Sequence, residues 1–501
     1  MNDKSTYRTI LRSSSIVGAA QLVNILSGIL KMKVAAVVLG PAGVGLIGLY
    51  GNLIQTGAVV SGLGISSAGT RQIAAAAESG SAALTTVRRA LFWGAFVLSL
   101  IGAVVFWIFS APIADLVLNN PARASDVSWL AVGVALMVAV GGQTALLTGM
   151  RRIGDFARMN TGAGILGTAF GISALWVWGE DALLAIVLGT PVATFLLGYL
   201  FVARLGRPEE PPSSLSTLAK EWRAMLSLGI PFMMSGLVTI LGHLVARSLV
   251  QNELGAEALG YFHASWTIGT IYLGFILGAM GADYYPRLTA AIRDHQTATR
   301  LVNEQTEVAL LLCGPPLVAM LGFSPWLIPL LYSAEFGPAV EILRWQLLGD
   351  ILKVMSWPLG FVILALGAGK TFVFTESVGV LTFVFGIWVA LPIVGVVGAG
   401  MAFLGFYLLY LPLVYVITRR SIGFRWSRAV LMQAVVVVVS AFLVELAVRQ
   451  SSLLGGVTGA VLALVLGFGA LIRLADKVDA SGKLAFFANI GRKVKRWKLN
   501  Q

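Results

Sequence analysis

Charge is scarce in this sequence: Asp, Glu, Lys and Arg make up 12% of its 501 residues, against about 25% in soluble domains. Too few polar groups remain to coat a globule of that size, which excludes an ordinary water-soluble fold. Cysteine is almost absent. Cys313 stands alone, so no disulfide can form within the chain and no thiolate metal site can be built. Histidine is nearly as rare, and His243, His263 and His295 are too dispersed for a ligand motif. His243 and His263 fit better as packed interhelical hydrogen-bonders. A catalytic constellation is also missing. Gly369-Lys370-Thr371 resembles the end of a phosphate-binding loop, but that motif needs a glycine five residues before Gly369, where Leu364 stands. Glu209-Glu210 and Asp476/Asp479 read as solvated charges of a linker and a tail. The chain is expected to be no enzyme and to use neither cofactor nor metal.

What is present is apolar. Hydrophobic residues reach 57%, in continuous runs of roughly twenty residues, enough to cross a bilayer as helix. Hydrocarbon forces every backbone polar group to be satisfied within the protein, which leaves helices or closed barrels. A barrel would show alternating segments of about ten residues, and these runs do not alternate. The spans are placed at 14–38, 43–66, 89–110, 127–150, 160–178, 183–203, 225–249, 258–282, 303–323, 338–365, 371–390, 395–417, 429–448 and 452–472. The polar, basic start MNDKSTYRTILRSSS precedes an apolar stretch with no clear cleavage site, so it reads as a retained first helix rather than a signal peptide.

The net charge of +13 reads as the cytoplasmic excess of Lys and Arg found in membrane proteins, not as nucleic-acid binding. With both termini in the cytoplasm, 29 of the 36 basic residues fall on the inner side. Lys31, Lys33, Arg123, Arg247 and Arg449 fall at outer ends. The proline-bearing stretch from Arg204 to Arg223 is the best internal linker. On either side of it, Leu39–Gly45 resembles Leu254–Gly260 at an offset of 215, and Gly62–Arg71 resembles Gly278–Arg287 at 216. The expected fold is therefore all-α and polytopic, with about fourteen transmembrane helices. Two six-helix lobes are related by a pseudo-twofold along the membrane normal. The N-lobe covers 1–204, the linker 205–223, the C-lobe 224–418, two additional helices 419–473 and a basic cytoplasmic tail 474–501. The cluster Gly491–Lys498 in that tail is suited to anionic headgroups of the inner leaflet.

Ionisable residues inside spans mark function, since each costs about 2.5–3.5 kcal/mol at the bilayer centre. The span 338–365 holds Glu341, Arg344, Gln346, Asp350 and Lys353. Glu341/Arg344 and Asp350/Lys353 are i,i+3 pairs able to neutralise one another, on a helix that must face protein or water. Lys33 and Arg247 sit at comparable heights on the first and seventh helices, and Arg71 and Arg287 close the second and eighth. Lys33, Arg71, Arg247, Arg287, Arg344 and Lys353 are the candidate substrate-binding cations, suited to an anion such as pyrophosphate. Glu341, Asp350 and Asp283 are the candidate ion-coupling carboxylates. Asp115, Asp126, Asp155, Glu180 and Asp181 all fall in expected loops, leaving the first lobe's spans without an acid.

Four motifs add a resemblance: Val38-Leu-Gly-Pro-Ala-Gly-Val-Gly-Leu-Ile47, Gly62-Leu-Gly-Ile-Ser66 with Thr70-Arg71, Asp283-Tyr-Tyr-Pro-Arg-Leu288, and Leu331-Tyr-Ser-Ala-Glu-Phe336. Over roughly 1–420 the chain resembles the O-antigen translocase (Wzx) group of the multidrug/oligosaccharidyl-lipid/polysaccharide exporter superfamily. The resemblance implies a multi-pass protein of the bacterial inner membrane with a central cationic cavity and alternating access. The implied substrate is a polyprenyl-pyrophosphate-linked oligosaccharide for O-antigen, common antigen or exopolysaccharide. A polysaccharide polymerase and glycosyltransferases are the candidate protein partners. Many relatives stop after twelve helices, so 429–472 is a departure. The main rival is a drug/cation antiporter of the same superfamily, which would place acids deep in the first lobe.

Overall fold

The computed structural model describes residues 3–206 and 214–477, with side chains described from Gln21 onward apart from 235, 282 and 475–477. The side chains of Lys4, Arg8 and Arg12, the linker residues 207–213 and the polybasic tail lie outside the described residues.

Every regular element described is helical. The first half runs α1 (Asp3–Gly62), α2 (Ile65–Ser79), α3 (Ser81–Ile108), α4 (Ser110–Leu118), α5 (Ala124–Gly149), α6 (Ile153–Trp178) and α7 (Leu183–Ala203). The second runs α8 (Leu215–Ala291), α9 (His295–Leu331), α10 (Ala339–Ala365), α11 (Gly369–Val394), α12 (Val397–Ile422), α13 (Arg428–Gln450) and α14 (Ser452–Lys477). Eleven segments among the described residues are long and apolar enough to cross a membrane. Three of these are internally broken: Gln21–Gly62 at Gly40, Ile153–Ala203 at the turn Gly179–Ala182, and Gly236–Gly281 at Gly255. Outward-facing Phe92, Trp107, Leu116, Trp176, Leu381 and Leu464 expose half or more of their surface, an apolar coat that only lipid would solvate well.

Helix ends follow local chemistry. Asp294 caps α9, accepting the backbone N–H groups of Gln296 (3.1 Å) and Thr297 (3.2 Å); the Thr297 hydroxyl bonded to it holds its carboxyl below the usual range. The Ser427 hydroxyl caps α13 by accepting the Val430 N–H at 3.2 Å. Three acids expected in loops lie in helices: Asp115 in α4, and Asp126 and Asp155 in the first turns of α5 and α6. A hydropathy reading starts a helix at its first apolar residue. A carboxylate in the first turn instead belongs to the helix and offsets the positive end of its dipole.

The chain separates into two compact units. The first runs to His263 and takes in Leu331–Ser333; the second holds Ala264–Leu330 and the described residues from Ala334 on. In the first, α6 packs on α7 and α3 on α5, with a core of Ile65, Ile73, Leu91, Leu98, Leu146 and Met225. In the second, α10 packs against α12, and α11 against α12. There Tyr284, Leu288, Leu359, Val362, Val414 and Phe424 form the core.

The breaks in α1 and α8 sit at matched places. Gly40 has φ 63°, ψ −168°, and Gly255 has φ 84°, ψ −178°, conformations that only glycine adopts at low cost. Pro41 follows the first break, where its missing N–H costs nothing because a helix start leaves that donor unused. The segments beyond the two breaks touch within the first unit. A Cβ on Gly45 would stand 2.7 Å from the Ala256 carbonyl oxygen and 2.7 Å from the Gly260 nitrogen, and one on Gly260 would strike the Pro41 carbonyl. One turn on, Gly48 lies under the His263 ring. At the offset of 215, Gly45 corresponds to Gly260, Pro41 to Ala256 and Gly48 to His263, so the contact is reciprocal.

This geometry sets opposite outcomes for two glycine substitutions. Gly260→Leu overpacks a backbone-to-backbone approach and should lower stability by about 1–3 kcal/mol. Gly51→Ala, where a Cβ meets nothing within 4 Å, should be neutral or gain up to about 1 kcal/mol from helix propensity. Thermal melting of the purified variants in detergent checks both.

Candidate functional site

Helix α10 carries the densest set of polar groups within a span. Hydropathy forces it inward: Gln346 is 3% exposed and Asp350 1%. Lys353, one turn beyond, brings its Nζ to 3.8 Å from Asp350 Oδ1 and lies 5.8 Å from the centre of the Phe403 ring on α12. The expected i,i+3 pairing of Asp350 with Lys353 is thus present. The other expected pair is not. Glu341 is exposed in the first turn of α10, and Arg344 turns instead to Glu445 on α13, its Nε donating to Oε2 at 2.8 Å. Arg449 donates from Nε to Glu445 Oε1, also at 2.8 Å, and stacks at 5.9 Å from the Trp345 ring. Glu445 thus lies between two guanidinium groups, and both it and Arg344 are nearly withdrawn from solvent. A carboxylate bridging two arginines satisfies more of its lone pairs than an i,i+3 partner at a helix end, so the interhelical pairing prevails.

Beside Lys353 a cavity of about 270 Å³ opens within the second unit. Trp357, Phe361, Phe406 and Tyr407 offer ring faces and edges, while Tyr410 donates its hydroxyl to Glu376 Oε1 at 2.6 Å. Flat apolar rings beside one ammonium and a hydrogen-bonded carboxylate suit a polar ligand with apolar faces, such as a sugar.

The other expected residues are dispersed. In the first unit Lys33 donates to the Tyr332 carbonyl. Arg247, 8% exposed, donates to the Gly48 carbonyl at 2.9 Å, with His263 Nδ1 at 3.4 Å. Arg71 is exposed on α2. Arg287 pairs with Asp283 at 3.0 Å, both exposed. Asp126, in the first turn of α5, is held by Arg123 at 3.1 Å and by the Tyr50 hydroxyl at 2.9 Å. The structure therefore joins Asp350 to Lys353 and gives Arg344 a partner on another helix, but does not gather the six cations in one place within either unit.

Sequence reasoning missed Glu445 and Glu376, read as parts of apolar spans, and a cavity of about 500 Å³ in the first unit, lined from α1, α6 and α7. Its α1 wall is a stripe of Gln21, Asn24, Gly28 and Lys31. Steps of three and four residues put these on one helical face, and that periodicity was the available signal. Among the described residues no group of three or more His, Cys, Asp and Glu side chains could hold a metal ion.

Comparison with known proteins agrees with this architecture. The family described as polysaccharide biosynthesis protein matches residues 10–291. The chain is 27% identical over 434 residues to a lipid III flippase of Escherichia coli (strain K12), across 82% of this chain and 99% of that protein. The lipid III flippase of Shigella flexneri matches equally. Teichuronic acid biosynthesis protein TuaB of Bacillus subtilis (strain 168) is 26% identical over 209 residues, 42% of this chain and 43% of TuaB. Among solved structures, lipid II flippase MurJ in an inward closed conformation superposes with TM-score 0.71, at 12% identity over 91% of this chain and 98% of that one. An inward-facing multidrug resistance MATE family transporter of the MOP superfamily gives 0.64, at 17% identity over 81% and 98%. The fold is that of these carriers, which are flippases and transporters rather than enzymes.

The clasp between α10 and α13 is testable by itself. Glu445→Ala leaves Arg344 as an unpaired buried charge and should cost about 3–5 kcal/mol. Replacing both members, Arg344→Met with Glu445→Leu, should recover most of that loss. Melting temperatures of the purified single and double variants decide it, and an unchanged single variant would mean that water reaches Arg344.

Proposed function

This chain belongs to the polysaccharide biosynthesis protein family, and from that premise we propose that it is a flippase. It carries a polyprenyl-pyrophosphate-linked oligosaccharide from the inner to the outer leaflet of the bacterial inner membrane by alternating access. The observation that carries this reading is the likeness to lipid III flippases along 82% of the chain. The superposition with a lipid II flippase over 91% of the chain supports the same architecture.

Counting each of the three broken segments as two crossings gives fourteen spans, with both termini cytoplasmic as the distribution of Lys and Arg favours. The matched breaks at Gly40 and Gly255 support a first lobe and a second lobe built as repeats. A repeat pair that rocks about a central site is how carriers of this kind expose it alternately to each side.

The physical need is plain. A sugar-pyrophosphate headgroup dragged through hydrocarbon loses many hydrogen bonds, each costing roughly 4–8 kcal/mol if unreplaced. Polar walls replace those bonds while the polyprenyl tail stays in lipid. Lys353 and the rings beside it form the headgroup contact in the second unit. Lys33, Arg71 and Arg247 add positive charge in the first unit, whereas Arg287 and Arg344 are answered by Asp283 and Glu445. Moving a charge of about −2 outward along an inside-negative potential releases around 4–5 kcal/mol per 100 mV, and Asp350, Glu341 and Asp283 are the candidate carboxylates for coupling an ion. A drug/cation antiporter needs a free acid deep in the first unit, whereas Asp126 is already engaged by Arg123 and Tyr50.

Deleting the gene should abolish surface polysaccharide and trap lipid-linked repeat units on the inner leaflet, read by labelling the accumulated lipid. Normal polysaccharide with altered drug sensitivity would overturn the flippase reading in favour of the antiporter. Lys33→Ala and Lys353→Ala, expressed at normal level, should each fail to complement the deletion.

A further inference from the structure

A second hollow of the second unit, about 190 Å³, is walled by α9, α13 and α14 and shares no lining residue with the Lys353 cavity. Helices α13 and α14 are those by which the chain departs from a twelve-helix pattern. The hollow is mostly apolar, built from Leu310 and Pro315 of α9, Val437 of α13 and Val465 of α14. Its polar groups are Gln433 and Arg473, and no carboxylate lines it among the described residues. Both stand near helix ends that the distribution of Lys and Arg puts on the cytoplasmic side. Gln433 lies in the second turn of α13, which begins at Arg428, and Arg473 in the closing turns of α14, which ends at Lys477. From Arg473 to Val465 the axis of α14 runs about 12 Å. That is most of the depth of one leaflet's hydrocarbon, about 15 Å.

The two polar groups have unmet capacity. Gln433, 6% exposed, donates from Nε2 to the Glu307 carbonyl at 3.3 Å, and its Oε1 accepts no hydrogen bond among the described residues. Arg473 is half-buried and pairs with no carboxylate among the described residues. Arg425 and Arg428 are exposed where α13 begins, and the sequence past α14 adds Arg492, Lys493, Lys495, Arg496 and Lys498. Cations gathered at one end of a span draw anionic lipid to it. A ligand that fits must bring one negative charge, a hydroxyl donor and a long apolar chain.

We propose that this hollow seats one phosphatidylglycerol of the inner leaflet. Its phosphodiester lies on Arg473, a glycerol hydroxyl donates to Gln433 Oε1, and one acyl chain runs along Pro315, Val437 and Val465. The site rests on the cytoplasmic placement of these helix ends and not on the flippase reading, so it stands whichever cargo the chain moves. Charge separates this lipid from a polyprenyl pyrophosphate. A phosphodiester is a single anion, which one guanidinium answers with paired N–H donors. A pyrophosphate brings more charge than one guanidinium answers, and its sugars would meet a single amide. Phosphatidylcholine carries its own cation and offers Gln433 no donor. A lipid held between α9 and the pair α13–α14 binds only the folded arrangement, so it fastens the additional helices to the second unit.

The test is native mass spectrometry of the purified full-length protein, delipidated in detergent and titrated with phosphatidylglycerol, phosphatidylcholine or a polyprenyl pyrophosphate. One phosphatidylglycerol should be held about tenfold more tightly than phosphatidylcholine, the worth of one charge-assisted hydrogen-bonded pair, and should raise the melting temperature. Arg473→Gln should erase both effects and Arg473→Lys should keep most of them. Lys370→Gln, which removes an exposed cation at the start of α11, should change neither. Gly469→Trp should abolish the tight lipid, because a Cβ at Gly469 meets nothing within 4 Å and the side chain fills the hollow; an unchanged melting temperature without lipid certifies that variant. Equal retention of the two phospholipids, or a preference that survives Arg473→Gln, would overturn the proposal. An equal loss in Lys370→Gln would overturn it in favour of diffuse surface attraction. Displacement of phosphatidylglycerol by the polyprenyl pyrophosphate at lower concentration would overturn it in favour of a seat for that lipid.

Discussion

An ion inside a bilayer must find an opposite charge, a dense set of dipoles or water, and most of the second unit is arranged around that demand. Helix α10 brings Arg344, Asp350 and Lys353 into a region where none could stand alone. Arg344 is answered by Glu445 from α13, Lys353 by Asp350 on its own helix and by the Phe403 ring. These pairings explain why α10 is buried along most of its length and why α13 docks where it does. The two residues most exposed to chemistry, Lys353 and Glu376, lie where the packing leaves a cavity. Structure and reactivity come from the same constraint: the charges that hold helices together and those that face a ligand differ only in whether the protein supplies the partner.

The first unit solves a different problem. Its helices approach backbone to backbone at Gly45 and Gly260, and its buried cation Arg247 donates to the Gly48 main-chain carbonyl. Carbonyl dipoles hold that cation in place without cancelling its charge. The second unit answers its deepest guanidinium, Arg344, with the carboxylate of Glu445.

Much of the architecture was legible in the sequence, because crossing a bilayer demands runs of about twenty apolar residues and these are hard to mistake. The breaks at Gly40 and Gly255 announced themselves through the repeated glycines, and the polar set on α10 through its cost in hydrocarbon. Side-chain direction was harder. Lys31 and Lys33 are two residues apart, roughly 200° around a helix, so they cannot share a face, and only the stripe of Gln21, Asn24 and Gly28 with Lys31 marks which one lines a cavity. Glu445 was invisible for a related reason. A single carboxylate in an apolar window barely lowers its hydropathy, and its partner is 101 residues away. Asp126 and Asp155 were misplaced because apolar content, not backbone conformation, defines a hydropathy span.

The contact between Gly45 and Gly260 carries one more implication. Gly45 meets Ala256 while Gly260 meets Pro41, and each pair maps onto the other under the repeat offset. A surface that meets its own equivalent in this way is self-complementary, the kind that closes a twofold dimer. Within one chain the two faces are tethered, so this contact closes at the high effective concentration of an intramolecular encounter.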